Sequence, residues 1–469
     1  MTGPAARMRW LCATATAAVA LALLPGAASA GGVTTITGTT SDGPGLTSQY
    51  KIEVPDPWNG TLVLYSHGYS FGPSPATDVG DAATGAWLLG HGYALAGSSY
   101  STTGWALQQA FQDQIAVLDA FAKTSFGTPK RTIAWGHSLG GMITAGLIQM
   151  FPHRFTAALP MCGVVAGGPG VWNQGLDSEF ALAVLQAPGK FKLVNFTSAA
   201  DVNTNFNAAS AALASAQTTP QGRARIALSA ALADLPGWFD PSKPEPAAND
   251  YAAQELNQFN WDNNPDFLFA YFGRAELEAR AGGNFSWNTG VDYRVQLSRS
   301  TDRAEVKALY AAAGLDLNKD LNTLNHAPRI SANEGAVDYL TKYVTYNGDL
   351  DMPVLTMHTT GDGLVEVTDE NAYASVVSSA DDSSKLRQVF VHRAGHCTFT
   401  PAETISAFQT LIHRLDTGRW GDSTDPAAMN AKAAALGAFN VVPPSFLNFH
   451  PARFLRPFDA RNVEDHETD

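Results

Sequence analysis

Residues Thr132-Ile133-Ala134-Trp135-Gly136-His137-Ser138-Leu139-Gly140-Gly141-Met142 carry the reading of the fold. A β-rich run, Thr132–Trp135, meets a serine with glycine two positions before and two after. Leu139 to Met150 follows without proline and dense in Met, Ile, Ala and Leu, so a helix can begin at the turn. Strand, sharp turn and helix crowd the backbone, and only small residues fit at 136 and 140. The same G-x-S-x-G pattern occurs at Gly68-Tyr69-Ser70-Phe71-Gly72, also after a strand. There Pro73 and Pro75 follow, which no strand-to-helix turn accepts so soon. Ser138 is therefore the nucleophile candidate.

Outward from this turn, short β-rich runs alternate with helical stretches. Candidate strands are Thr34–Thr39, Tyr50–Val54, Thr61–Ser66, Tyr93–Gly97 and, after the turn, Ala158–Val164. Trp105–Ala122 places Leu107, Phe111, Ile115, Leu118 and Ala122 at helical spacing, one stripe to lie on a sheet. From about 167 to 345 the texture becomes helical and irregular, rich in Ala, Asn and aromatics. The β/α texture resumes at Pro353–His358 and Leu386–His392. Thr400-Pro401-Ala402-Glu403 then announces a helix, with an N-cap Thr, Pro at the first position and a capping box. Its stripe is Ile405, Phe408, Ile412 and Leu415.

The fold class expected is α/β, a mostly parallel sheet with helices on both faces and a large, mainly helical cap insertion. Its divisions are a leader at 1–30, a first core part at 31–166, the cap at 167–345, a second core part at 346–420 and an extended wrap at 421–469. Nine cap aromatics (Trp172, Trp238, Phe239, Trp261, Phe267, Phe269, Tyr271, Phe272 and Trp287) either line a pocket or build the cap's own core.

The first thirty residues read as an export signal. Arg7 and Arg9 precede the apolar run Trp10–Leu24, Pro25 breaks it, and Ala28-Ser29-Ala30 suits cleavage. The run is about 15 residues, short of the roughly 20 that span a bilayer. A secreted, extracellular protein without a membrane span is expected. Over 469 residues the net charge is −13, charged residues are 16% and hydrophobic ones 45%, a core-building chain rather than a disordered one. The acidic balance, with no basic run, excludes nucleic acid held through clustered Lys and Arg.

With its G-H-S-L-G-G turn and this order of elements, the chain resembles the α/β-hydrolase superfamily, in the form of its secreted lipases and esterases. The resemblance covers about half of the chain beyond the leader. It implies an acid on a loop after a late strand and a histidine after the last strand, in the order Ser, acid, His. Met352–His358 reads independently as a buried strand, and Thr359-Thr360-Gly361-Asp362-Gly363-Leu364-Val365 follows as a glycine-flanked loop. Asp362 is the acid candidate, with Glu366 and Asp369 in reserve; an Asx-turn is the plainer role for Asp362. Val389-Phe390-Val391-His392-Arg393-Ala394-Gly395-His396-Cys397 closes a strand, and His396 fits the general base. His392 lies within that strand and suits packing or surface, while His137 should project away from Ser138. The superfamily likeness also implies two oxyanion donors: Leu139 N–H at the helix start and, from Leu62-Val63-Leu64-Tyr65-Ser66-His67-Gly68-Tyr69, the N–H of Tyr69 with Ser70 in reserve.

Esterases of the feruloyl esterase and tannase type, which the His396-Cys397 pair resembles, bond that cysteine to one directly before the nucleophile. Here His137 occupies that place. A bridge from Cys397 to Cys162 is then expected under the oxidising conditions of export, against two separate buried thiols. Asp316, Asn318 and Asp320 fit the start of a calcium loop, but Leu321 and Ala327 stand where Gly and Glu are needed, so a helix end is expected. Sequons stand at Asn59, Asn195 and Asn284. No metal or organic cofactor is required by this chemistry. The expectation is a secreted serine hydrolase cleaving small or polymeric carboxylic esters through an acyl-enzyme. The alternatives are an exopeptidase of the same superfamily and a binding protein on an inactive scaffold.

Overall fold

The computed structural model describes residues 31–43 and 46–458. The expected leader at 1–30 lies outside the described residues, as does the chain from 459 onward. Nine strands form one sheet: β1 Val33–Gly43, β2 Leu46–Pro55, β3 Thr61–Ser66, β4 Ala94–Ser98, β5 Arg131–His137, β6 Ala157–Met161, β7 Val354–Gly361, β8 Leu386–Ala394 and β9 Phe446–Leu447. Their order across the sheet is β1-β2-β4-β3-β5-β6-β7-β8-β9. From β4 to β8 every pairing is parallel, while β1, β2 and β9 pair antiparallel at the edges.

Central strands β3, β4 and β6 are buried along their whole length, as a parallel sheet covered on both faces requires. Alternation sorts their side chains. Leu62 and Leu64 face the helices Leu107–Ala122, Leu139–Met150 and Glu334–Val344; Val63 and Tyr65 face Ala82–Gly90 and Pro401–Thr417. Phe111 and Leu118 are fully or almost fully buried on the first side, and Ile405, Phe408 and Leu411 on the second. Ala122, expected in the buried stripe, is exposed because Val117 and Phe121 complete it instead. Phe111 also reaches the neighbouring helix at Gly146, where a Cβ would stand 2.5 Å from its ring. Trimming Phe111 to Ala would cost about 3–5 kcal/mol.

The helix Pro401–Thr417 starts with the expected capping box between Thr400 and Glu403. Between β6 and β7 lie the helices from Gly168–Gln186 to Glu334–Val344. Most pack among themselves, around Phe180, Leu228, Tyr293 and Tyr310 in one cluster. The last of them departs from the expected division, because Leu340 and Val344 belong to the sheet's own core. The segment after 420 is not extended throughout: Asp425 caps the helix Pro426–Ala434, with Pro426 in its first turn. Asp316 caps Leu317–His326, the helix end read from its failed calcium pattern. Asn284 is buried, its amide given to Ser286 O and Ser331 O, so that sequon is closed. No helix among the described residues is long and apolar enough to cross a membrane.

Candidate active site

Ser138 sits between β5 and the helix Leu139–Met150 with φ 57° and ψ −124°, a backbone that an L-residue adopts only when its surroundings impose it. The glycines show what imposes it. A Cβ on Gly140 would lie 1.9 Å from Ser66 O, and one on Gly136 would lie 2.4 Å from Gly140 O. The tight turn is held by Ser138 N–H donating to Met161 O at 3.0 Å. Ser70, the serine of the second motif, forms no such turn. Its hydroxyl bonds to Gly72 O and to Ser74 Oγ.

Asp362 leaves the end of β7 fully buried. Its Oδ1 accepts the N–H groups of Leu364 and Val365 at 3.1 Å each. Its Oδ2 accepts from His396 Nδ1 at 2.8 Å. The Asx-turn and the histidine partnership are both present, one on each oxygen. Burial alone would raise the Asp362 carboxyl, but His396 and His358 hold it down at about 2. Glu366 and Asp369 do not touch His396: Glu366 lines the cavity described below, and Asp369 accepts from Ala166 N–H at 3.4 Å.

The loop that carries His396 is tied on several sides. Gly395 N–H donates to Gly361 O at 2.9 Å, and Thr359 Oγ1 to Gly395 O at 2.8 Å, which fastens it to the Asp362 strand. Arg393 makes a two-armed pair with Glu403 at 2.6 and 2.9 Å, so the capping box of the following helix also anchors the end of β8. Cys397 is disulfide-bonded to Cys162, 235 residues away. Cys162 follows β6, and its N–H donates to Met357 O at 2.8 Å. The bridge thus ties the His396 loop to the strand that follows the Ser138 helix. The Ser138 Oγ–His396 Nε2 hydrogen bond is not formed; Nε2 lies 3.3 Å from Cys397 Sγ.

His358 is the residue that sequence reasoning passed over. Fully buried within β7, it sets Nε2 2.9 Å from Val365 O and 3.6 Å from Asp362 Oδ2, and Nδ1 3.2 Å from Glu370 Oε1. Burial opposes its charge, yet the Asp362 and Glu370 carboxylates raise it to about 10. A fixed imidazolium therefore backs Asp362. The signal was available: a histidine inside a buried-type strand, four residues before the acid candidate. His137, by contrast, is packed among Tyr65, Trp135 and Phe399, and burial together with the nearby His396 lowers it to about 4. His392 lies at the surface, 3.3 Å from Glu245 and 5.2 Å from the Trp238 ring.

Ser138, Leu139 and Tyr69 line one cavity. Tyr100 Oη donates to His67 O at 3.0 Å, which secures the Tyr69 loop. The Tyr69 ring meets Trp105 and Phe269 at 5.2 Å each. Of the aromatics between β6 and β7, Trp172, Phe267 and Phe269 line the cavity, while Tyr271 and Phe272 pack on Phe206 within the helical layer. Trp105, from the first part of the sheet region, completes the aromatic wall. Glu179, Asp262, Asp266 and Glu366 line it as well.

A family model described as the prolyl oligopeptidase family matches residues 87–167, the span that includes the Ser138 turn. An o-phthalyl amidase of Xanthobacter agilis is 30% identical over 417 residues, 83% of this chain and 89% of that protein. Among solved structures, an esterase from Aspergillus oryzae is similar with a TM-score of 0.45 and 13% identity, covering 82% of this chain and 80% of that one. Feruloyl esterase B from the same organism gives 0.41 and 12%, covering 82% and 81%. With an identity of that extent to the amidase and a mostly parallel sheet of this order, the chain belongs to the α/β-hydrolase superfamily, in the family of the o-phthalyl amidase, and is a hydrolase.

Proposed function

We propose that the protein is a secreted serine hydrolase that cleaves carboxylic esters and amides through an acyl-enzyme, with Ser138, His396 and Asp362 as its triad. The observation that carries this reading is the Asp362–His396 hydrogen bond of 2.8 Å, in a chain that also holds Ser138 at φ 57° on a strand-to-helix turn. In the reaction Ser138 Oγ attacks the acyl carbon while His396 Nε2 takes its proton. Catalytic hydrogen bonds commonly tighten only with substrate bound, which suits the open Ser138–His396 pair. The oxyanion then gains the N–H groups of Leu139 and Tyr69. His396 passes the proton to the leaving alcohol or amine, and water repeats the cycle on the acyl-enzyme. Asp362 fixes the imidazole tautomer and stabilises the imidazolium.

Amides stand beside esters because the relative matched over most of the chain is named an amidase. The cavity holds about 110 Å³, close to the roughly 150 Å³ of a cavity that takes benzene, so a compact, aromatic-sized acyl group suits it. An active-site phosphonate should label Ser138 stoichiometrically and abolish turnover of p-nitrophenyl benzoate and benzoyl p-nitroanilide. Label elsewhere, or turnover that survives complete labelling, would overturn the assignment. Faster cleavage of an unblocked aminoacyl p-nitroanilide than of either would move the reading to an exopeptidase.

A further inference from the structure

The loop between β4 and the helix Leu107–Ala122 stands between two layers of the molecule. On one side it meets the Tyr69 segment. Gly104 and Ser70 form an isolated antiparallel bridge, with Gly104 N–H donating to Ser70 O at 2.9 Å, and the Trp105 ring lies 5.2 Å from the Tyr69 ring. That segment borders the nucleophile candidate, since a Cβ on Gly68 would stand 3.6 Å from Ser138 Cβ. On the other side the loop is held by the helix Arg274–Ala281 and the residue before it. Glu276 Oε2 accepts Trp105 N–H at 3.0 Å across a separation of 171 residues, and Trp105 Nε1 donates to Gly273 O at 3.1 Å. Arg280 donates through Nε to Glu276 Oε1 at 2.9 Å, through Nη2 to Thr103 O at 2.9 Å and through Nη1 to Gln109 Oε1 at 3.1 Å. Gly104 fits this contact: a Cβ there would stand 2.7 Å from Glu276 Cδ.

Ala106, the N-cap of the helix Leu107–Ala122, makes no side-chain hydrogen bond, so the entry to that helix is fastened from outside, by Glu276. A carboxylate that accepts a backbone N–H makes a charge-assisted bond, roughly twice as strong as a neutral one. Arg280 holds the carboxylate in place and grips the same loop one residue earlier than Gly104. The consequence reaches the Tyr69 segment through its backbone. His67 O is anchored behind Tyr69 by Tyr100 Oη at 3.0 Å, and Ser70 O is anchored ahead of it by Gly104 N–H at 2.9 Å. The direction of the Tyr69 N–H is set between these two anchors. An oxyanion donor acts only while it stands about 2.7–3.1 Å from the place where charge develops. The second anchor, and whatever fixes Gly104, therefore belong to its aim.

We propose that Glu276 is a positioning residue for the oxyanion donor Tyr69 N–H, acting through Trp105 N–H and the Gly104–Ser70 bridge without touching substrate. The inference rests on the serine-hydrolase reading above. Steady-state kinetics on p-nitrophenyl benzoate test it. Glu276→Ala should lower kcat by roughly 10- to 100-fold, short of the 10²- to 10³-fold lost with a whole donor, while KM changes less than about threefold. Glu276→Gln keeps an acceptor for Trp105 N–H and should recover most of that loss. Arg280→Ala, which leaves the Glu276 carboxylate without its partner, should show a smaller fall in kcat and serves if Glu276→Ala does not fold. A lower Tm with wild-type kcat would make the contact a mere tie between layers and overturn the inference, as would a rise in KM at unchanged kcat. Either result leaves the hydrolase reading intact. A wild type that turns over neither ester nor amide would count against that reading instead, and magnetic resonance then decides. With isotope-labelled tyrosine, the Tyr69 N–H signal, assigned through Tyr69→Phe, should move in Glu276→Ala while that of Tyr65 on β3 stays. An unmoved Tyr69 signal would refute the coupling.

Discussion

Reducing the Cys162–Cys397 bridge should weaken the fold and the reaction together. The bridge closes a loop of 235 residues, worth up to about 5 kcal/mol on the chain-entropy relation. For a domain of this size the unfolding entropy is near 0.9 kcal/mol per kelvin, so Tm should fall by roughly 5 °C. The kinetic effect follows from position. Cys397 adjoins His396, and its partner is anchored through Cys162 N–H to Met357 O at 2.8 Å. Without the bridge the His396 loop keeps Gly395–Gly361 and Arg393–Glu403 but loses its tie across to the end of β6. A histidine displaced by about 1 Å can cost 100-fold, so kcat should fall well beyond any change in KM. The assay is thermal melting and steady-state kinetics of the wild type, the wild type with dithiothreitol, and the Cys162→Ser/Cys397→Ser double variant. If Cys162 and Cys397 both label as free thiols in denatured, unreduced protein, the bridge is refuted. A double variant with wild-type Tm and kcat would refute its role.

Three further outcomes follow. Ser138→Ala should lower hydrolysis by about 10⁴-fold or more while Ser70→Ala costs less than tenfold, as kcat/KM on a p-nitrophenyl ester will measure; survival of activity in Ser138→Ala would dissolve the site. Asp362→Asn should keep the fold but lower kcat by up to about 10⁴-fold through the wrong tautomer, while Asp369→Asn, with no contact to His396, changes it little; His358→Asn, which removes a cation behind Asp362, should lower kcat less and move the acid limb of kcat/KM to higher pH. Stability of the ligand-free protein should fall as pH rises from about 4 to 8, because Asp262 at about 8 and Glu179 at about 7 bind more protons folded than unfolded in that window. Melting temperatures at pH 5 and 8 test this, Asp262→Asn should flatten the slope, and a rise toward pH 8 would contradict it.

The parts of this molecule legible in its sequence are those set by local rules. Strand β3 falls on Thr61–Ser66 and the helix after Ser138 on Leu139–Met150, as read, because continuous apolar strands and a proline-free run after a glycine turn leave little choice. Thr400 and Glu403 gave the helix start because a capping box is four residues long. Asp362 and His396, the acid and base candidates, meet because each stands at the end of a strand in a glycine-marked loop. What escaped depends on which elements meet. His358 looks like one more residue of a buried strand until Glu370 arrives twelve positions later on the helix Asp369–Ser379.

The acid lining of the cavity escaped for the same reason, more strongly. Glu179 lies mid-helix, Asp262 and Asp266 flank Asn264-Pro265, and Glu366 was read as a reserve for Asp362. Nothing in their spacing brings the four together; the packing of the helical layer onto the β7 loop does. This divides the site physically. Ser138, Asp362 and His396 stand at the ends of parallel strands, where backbone hydrogen bonds fix positions and short motifs report them. The cavity beside Ser138 is lined instead from the helical layer, by Phe267, Phe269 and Trp172 among others. Substitutions there can exchange carboxyls or rings without disturbing the Ser138 turn, whose only tolerance is for glycine at 136 and 140. The turn at Ser138 and the wall of the cavity beside it are therefore separately adjustable in this chain.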